Sequence, residues 1–168
     1  MVLPTGLVDL FRSAKWLSDW SAPIHPQIAL ARLIESGDFE RHLRRARTLY
    51  RESRVALLES IDLWLAPFSP RYYDSQAGLH VLLSLPGFSE AESRSIMKRA
   101  EQEGVRLYPS KPCYLDIDEG GFDALSDLGA EWVMGFARLS TTEISEGIKR
   151  LSQILVEHVS RRSGGVEN

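Results

Sequence analysis

From Phe39 to about Leu65 the chain carries one long helical pattern, and no other feature constrains its fold as much. Phe39, Leu43, Ala46, Tyr50, Leu57, Ile61 and Trp64 recur at alternating three- and four-residue spacing, which places them on one helix face. Only Ser53 breaks this stripe. About 26 residues of helix span about 40 Å, more than a small domain needs, so the helix either joins two bodies or lies along one. Pro67-Phe68-Ser69-Pro70 ends it, because proline has no amide donor to continue the ladder.

Before this helix the chain reads as two shorter ones. Leu7, Leu10, Phe11, Ala14 and Leu17 share one face, with Lys15 and Asp19 on the other. Pro23 and Pro26 interrupt the pattern, which resumes from Gln27 to Glu35. Ser36-Gly37-Asp38 then supplies a stop and a fresh N-cap. After the helix the pattern changes to strands. Leu79, Val81, Leu83 and Leu85 alternate with His80 and Ser84, as in a half-buried strand. Ser89-Glu90-Ala91-Glu92 is a capping box for a helix running to Gly104. Val105–Tyr108 reads as a second strand cut off by Pro109, Cys113–Ile117 as a third, and Trp132–Ala137 as the last, apolar on both faces. Ser140-Thr141-Thr142-Glu143 caps a final helix with the stripe Ile144, Ile148, Leu151, Leu155 and Val159. The expected fold class is α+β: N-terminal helices and a long connecting helix, then a small-lobe sheet of three to four strands with two helices on one face.

Composition excludes several functions. The 168 residues carry a net charge of −3 and 43% hydrophobic residues, which argues against a chain devoted to coating nucleic acid or anionic membrane. One cysteine, Cys113, rules out an internal disulfide framework and a cysteine-rich zinc site. No apolar run approaches the roughly 20 residues of a membrane span, and MVLPTGLVDLFRSAK lacks the basic and apolar regions of a secretion signal. A cytoplasmic protein is the expectation.

Few residues read as chemistry. The six arginines between Glu40 and Arg54 read as the wet face of the long helix, with Glu40 paired to Arg44, in preference to a phosphate-tracking surface, since no aromatics are interleaved for stacking. His25, His42, His80 and His158 stand singly, so no metal site is expected. Asp116-Ile117-Asp118-Glu119 lacks the glycine and alternation of a calcium loop and reads as a solvated turn. Cys113 has no histidine beside it in any nucleophile motif, and no catalytic residue is assigned. The most informative segment is Gly135-Phe136-Ala137-Arg138-Leu139-Ser140, immediately before the capped helix. An arginine there can grip a carboxylate through two parallel hydrogen bonds, near a helix N-terminus that favours anions. The alternative is an arginine pointing to water or paired with a local acid such as Glu143.

Four segments in register resemble one family. Gln27–Arg47 (QIALARLIESGDFERHLRRAR) is similar to the helices after the cofactor lysine in MocR-type regulators, the GntR-family bacterial regulators that carry an aminotransferase-like domain. Ala77-Gly78-Leu79-His80-Val81 resembles their AGLH strand, and Gly104-Val105-Arg106-Leu107-Tyr108-Pro109 another strand of theirs. Gly135-Phe136-Ala137-Arg138-Leu139-Ser140, with Glu146-Gly147-Ile148-Lys149-Arg150-Leu151, resembles their closing segment. The resemblance implies a fold type I, class I/II aminotransferase-like domain behind a winged-helix DNA-binding domain, of which this chain is the C-terminal part. Residues 1–38 would edge an absent large lobe, 39–66 would be the connecting helix, 67–162 the α/β small lobe and 163–168 a disordered tail.

The resemblance also implies roles. Arg138 would hold the substrate α-carboxylate, and Tyr108 and Ser110 would line the substrate side of the pocket, although Ser110-Lys111-Pro112 departs from the family's Pro-Gly-Ser pattern. The Ser21–Pro26 segment would face a partner subunit. Pyridoxal phosphate is implied for the full-length parent and not for this chain. The family's Ser-x-Ser-Lys segment, followed by Pro-Gly-x-Arg-x-Gly, is not in the sequence, and Lys15, in Arg12-Ser13-Ala14-Lys15-Trp16, lacks that sequel. The expected partners are a second copy, in a homodimer, and an amino-acid or amine effector in the parent, with no membrane and no nucleic-acid contact by this part. A class I/II aminotransferase parent and a free-standing adaptor built on the small lobe are the rival readings.

Overall fold

The computed structural model describes residues 2–20, 23–73, 78–113 and 129–164, with side chains to residue 162, and contains the expected long helix as α3 (Asp38–Trp64). Gly37 precedes it at φ +75°, a left-handed conformation that glycine adopts without penalty. The Arg41 amide donates to the Gly37 carbonyl at 3.1 Å. Asp38 is therefore the first residue inside the helix, and its carboxylate pairs with Arg41 one turn on. Two helices precede α3: α1 (Val8–Asp19) and α2 (Ile24–Glu35). Helix α2 starts three residues before the expected Gln27, because Pro26 falls in its first turn, where an amide has no helical acceptor in any case. Neither α1 nor α2 has a buried residue.

Two units are distinguished, Met1–Ala46 and Arg47–Asn168, with the boundary inside α3. The second holds the sheet. Strands β1 (Arg71–Tyr73), β2 (His80–Leu85), β3 (Tyr108–Pro109) and β4 (Ala130–Gly135) lie in the order β1-β2-β4-β3, every neighbour antiparallel. Helix α4 (Glu90–Gln102) connects β2 to β3, and α5 (Thr141–Gly164) follows β4. The expected capping box is made in full: the Ser89 hydroxyl accepts from the Glu92 amide, and the Glu92 carboxylate accepts from the Ser89 amide at 2.8 Å.

The register fixes the two faces of the sheet. Val81, Leu83 and Leu85 of β2 stand opposite Met134, Trp132 and Ala130 of β4. This face meets α4, where the fully buried Trp132 indole donates to Ser93 Oγ at 3.0 Å. Leu57, Ile61 and Leu65 from α3 and the turn after it, Ile96 and Ala100 from α4, and Ile144, Ile148, Leu151 and Leu155 from α5 complete the core. Val159, the last residue of the expected α5 stripe, is exposed. The opposite face carries His80, Leu82 and Ser84 beside Gly135, Val133 and Glu131.

Several expectations are corrected. Val105–Leu107 is not a strand; pairing is limited to Tyr108 and Pro109, opposite Val133 and Trp132. Pro109 is therefore the last residue of β3 and not the first beyond it, which an edge strand tolerates. Lys111–Cys113 is a 3-10 turn; the rest of the expected Cys113–Ile117 strand and the Asp116–Glu119 turn lie outside the described residues. β4 begins two residues before the expected Trp132 and ends two before the expected Ala137, and the added stretch brings in a buried glutamate, Glu131. β1 has no counterpart among the expected strands. Helix α5 continues to Gly164, past the expected start of the tail, and 165–168 lie outside the described residues.

Gly129 makes the entry to β4 possible. Its φ is +64°, and a Cβ there would stand 2.8 Å from the Leu85 carbonyl oxygen and 2.9 Å from that of Phe88. Gly129→Ala is expected to destabilise the fold by on the order of 1–3 kcal/mol. Gly87→Ala, two residues beyond β2 with nothing within 4 Å of the added carbon, should change stability by less than about 0.5 kcal/mol. Denaturant midpoints of the two variants test this; equal effects would contradict it.

Candidate functional site

Arg138 lies in the link between β4 and α5. After Gly135 the chain buries the Phe136 ring, turns through Ala137 and Arg138, and reaches Ser140 at the helix cap. The turn is held on several sides. The Phe136 amide donates to the Leu79 carbonyl at 3.3 Å, and the Leu139 amide to the Phe136 carbonyl at 3.4 Å. Ser53 of α3 donates its hydroxyl to the Leu139 carbonyl at 3.4 Å. Gly135 lies under the His80 ring, so closely that a Cβ would come within 3.3 Å of it. The backbone around Arg138 is thus fixed while its side chain is exposed, and the guanidinium has no hydrogen-bond or ion-pair partner among the described residues.

The local acid closest in sequence to Arg138 is otherwise engaged. The Glu143 carboxylate accepts from the Ser140 amide at 2.8 Å and the Ser140 hydroxyl at 2.7 Å, and the Glu143 amide donates to Ser140 Oγ at 3.2 Å. This is the second capping box expected from the sequence. The Ser140 hydroxyl, and then the Ser140 amide, hold the Glu143 carboxyl below the usual glutamate range.

A groove of about 550 Å³ opens beside the turn. Its lining includes Tyr108, Met134, Leu139 and Ile144, with Glu143 and Arg150 at polar positions. Tyr108 is 57% exposed, so the structure brings it and the residue after Arg138 to one groove. Arg138 itself is not among the lining residues. Ser110 is not either: it is buried, and its hydroxyl donates to the Glu131 carboxylate while its amide donates to the Glu131 carbonyl at 3.2 Å. Its hydroxyl is committed to Glu131, and it fastens β3 to β4. Sequence reasoning missed this Ser110–Glu131 pair and the Ser53 bond. The signals were a glutamate inside an apolar strand and a serine inside an apolar helix stripe.

The lysines bear on a pyridoxal phosphate site. A lysine that forms a Schiff base needs a desolvated or otherwise activated amine. Lys15 is ion-paired with Asp19 on the exposed α1. Lys111 pairs with Glu90 at 3.1 Å, Lys149 stands 5.2 Å over the Trp64 ring, and Lys98 is exposed on α4. These four are all the lysines of the chain, and none fits that role. Among the described residues, no three His, Cys, Asp or Glu side chains gather as a metal site would require, and no helix is long and apolar enough to cross a membrane.

Comparison with known proteins places this geometry among relatives. No family model matches the chain. It is 32% identical over 151 residues to YhdI, an uncharacterized HTH-type transcriptional regulator of Bacillus subtilis, covering 90% of this chain and 30% of that protein. It is 30% identical over 152 residues to a 2-aminoadipate transaminase of Thermus thermophilus, covering 90% of this chain and 35% of the transaminase. Among solved structures, the alpha-aminoadipate aminotransferase LysN of Thermus thermophilus superposes with a TM-score of 0.72 at 26% identity, over 95% of this chain and 38% of LysN. A multiple substrate aminotransferase of Thermococcus profundus shares the fold, with a TM-score of 0.75 at 21% identity over 94% of this chain and 36% of that one. The chain thus spans about a third of the length of the proteins it matches. It has the fold of that portion of an aminotransferase, and its sequence relatives are HTH-type regulators and aminotransferases, in agreement with the resemblance drawn from its motifs.

The Glu143 carboxyl gives a pH prediction. A carboxyl held low in the folded state contributes stability that is present above its unfolded value and is lost as pH falls through its folded value. The Glu143 carboxyl resonance should therefore titrate below the ordinary glutamate range, and the first turn of α5 should lose amide protection as it does. Ser140→Ala should move the midpoint up towards the ordinary value. An ordinary midpoint in the unsubstituted chain would contradict the capping geometry.

Proposed function

We propose that this chain is the C-terminal effector and dimerisation portion of a MocR-type transcriptional regulator with an aminotransferase-like domain, and that Arg138 holds the α-carboxylate of an amino-acid effector. The observation that carries the reading is an exposed guanidinium with no partner among the described residues, on a backbone turn fixed between β4 and the capped α5. A planar fork of this kind meets both oxygens of a carboxylate. The similarity to HTH-type regulators and to a transaminase named for an amino acid supports the same ligand class. Tyr108, in the neighbouring groove, is the candidate for contact with the rest of the effector. Ser110 has no such role in this proposal.

Pyridoxal phosphate belongs to the parent protein in this reading, and the chain by itself is not an enzyme. The placement of its four lysines supports that. The chain treated with pyridoxal phosphate and borohydride should give no stoichiometric label at any single lysine; such a label, on Lys15 or another, would sink the proposal. A class I/II aminotransferase parent is the second reading, favoured by the 30% identity to the Thermus transaminase. The proposed location is the cytoplasm, and nucleic acid is assigned to other parts of the parent.

The dimer is supported by unit 1. Trp16 is 61% and Trp20 79% exposed, their rings stacked with centroids 6.1 Å apart, and Ile24 and Ile28 are exposed as well. Apolar surface of this kind drives association. Light scattering should show a dimer, and a compact monomer at high concentration would count against it.

The Arg138 role is tested in the gene product that carries this chain, by titration with L-leucine and L-2-aminoadipate and with their α-amides. A charge-assisted pair contributes about 1.5–3 kcal/mol, roughly ten- to a hundred-fold in affinity. Arg138→Lys should weaken binding of the acids, Arg138→Ala should weaken it further, and the amides should bind poorly throughout. Melting temperatures should stay nearly unchanged, since the side chain is exposed. Unchanged affinity in both variants means that Arg138 does not bind the carboxylate.

A further inference from the structure

We propose that Ser53 is a positioning residue for Arg138: its hydroxyl sets the turn that presents the guanidinium. This rests on the carboxylate role proposed above. Ser53 alone interrupts the apolar stripe of α3. A serine inside a helix commonly returns its hydroxyl to the carbonyl four residues back, and here Ser60 does so to Ala56 at 2.6 Å and Ser160 to Val156 at 2.9 Å. The bond that Ser53 makes to Leu139 leaves its helix and reaches a residue 86 positions away.

The acceptor explains why that bond is needed. Leu139 stands just before the Ser140 cap and outside the helix, so no helical amide serves its carbonyl. The Glu143 amide is met by Ser140 Oγ, and the ladder starts with the Ile144 amide on the Ser140 carbonyl at 3.0 Å. The Leu139 carbonyl lies before this ladder, and the Ser53 hydroxyl supplies its donor. Leu139 is therefore fixed through both backbone groups, its amide on Phe136 and its carbonyl on Ser53. Arg138 is the residue between these anchors. Without the Ser53 bond, Leu139 itself keeps only the 3.4 Å bond of its amide to Phe136, and the direction of the guanidinium is less well fixed.

Ser152 provides the control. Its hydroxyl also bridges to α3, donating to the Trp64 carbonyl at 2.8 Å, eleven residues along the helix from Ser53 and about 16 Å at helical rise. In the gene product that carries this chain, Ser53→Ala should weaken L-leucine binding about three- to ten-fold, as expected for loss of one hydrogen bond. Ser53→Thr, which keeps the hydroxyl, should restore it to within about two-fold of the unsubstituted protein. Ser152→Ala should lower the melting temperature without changing affinity. In an Arg138→Ala background, Ser53→Ala should cost no further affinity. The proposal is overturned if Ser53→Ala leaves binding intact while Arg138→Ala reduces it, or if the Ser53 effect persists without Arg138. If Arg138→Ala is itself silent, the carboxylate reading falls and this proposal with it, a result distinct from the other two.

Discussion

The pairing of β2 with β4 under Trp132 is the interaction on which the rest of the second unit depends. Six residue pairs, from His80 opposite Gly135 to Leu85 opposite Ala130, bring the two central strands together. The side chains on their inner face then have only one place to go. Val81, Leu83, Leu85 and Trp132 are removed from water against α3, α4 and α5. Burying side chains of this size is worth about 1.5–3 kcal/mol each before entropy is counted. The Trp132 indole proton is met by Ser93, so the largest core residue leaves no donor unpaired. The edge strands are short and contribute by pairing onto this centre: β1 onto β2, and β3 onto β4 through Ser110 and Glu131.

That anchoring leads directly into the hydrogen-bonded turn on which the Arg138 side chain is exposed. Phe136 closes the core just beyond the end of β4. Two residues later the chain is outside it, and two after that it is capped into α5. Glu143 is the nearest acid in sequence, but its carboxylate is used to hold the helix start. The capping box begins the helix and holds one oxygen of this carboxylate, Oε2, on Ser140. Under the proposed function, an exposed guanidinium with no partner among the described residues, on a turn held by hydrogen bonds, is what an incoming carboxylate would meet.

Features whose determinants lie within a few residues of each other were legible in the sequence. Both capping boxes are formed by a serine and the glutamate three residues on, and both are present as read. The long helix was equally plain, since its stripe and its terminating prolines are local. Features that depend on a distant partner were not. Arg71-Tyr72-Tyr73 follows Pro70 and has no alternation of its own to announce a strand; it is one because Ser84, Leu83 and Leu82 lie opposite. Val105–Leu107 has the composition of a strand, yet only Tyr108 and Pro109 reach β4. Arg138 could be singled out from its place before a capped helix. The partner that fixes its turn, Ser53, could be noticed only as an irregularity, because the carbonyl it serves is 86 residues away.

The central claim is geometric, and a crystal structure of the gene product that carries this chain, with a bound amino acid such as L-2-aminoadipate, tests it most directly. Two nitrogens of the Arg138 guanidinium are expected at about 2.7–2.9 Å from the two α-carboxylate oxygens, as in a bidentate charge-assisted pair, with the Phe136–Ser140 backbone unchanged. A bound amino acid whose carboxylate is held by other groups, with Arg138 turned to water, would contradict it.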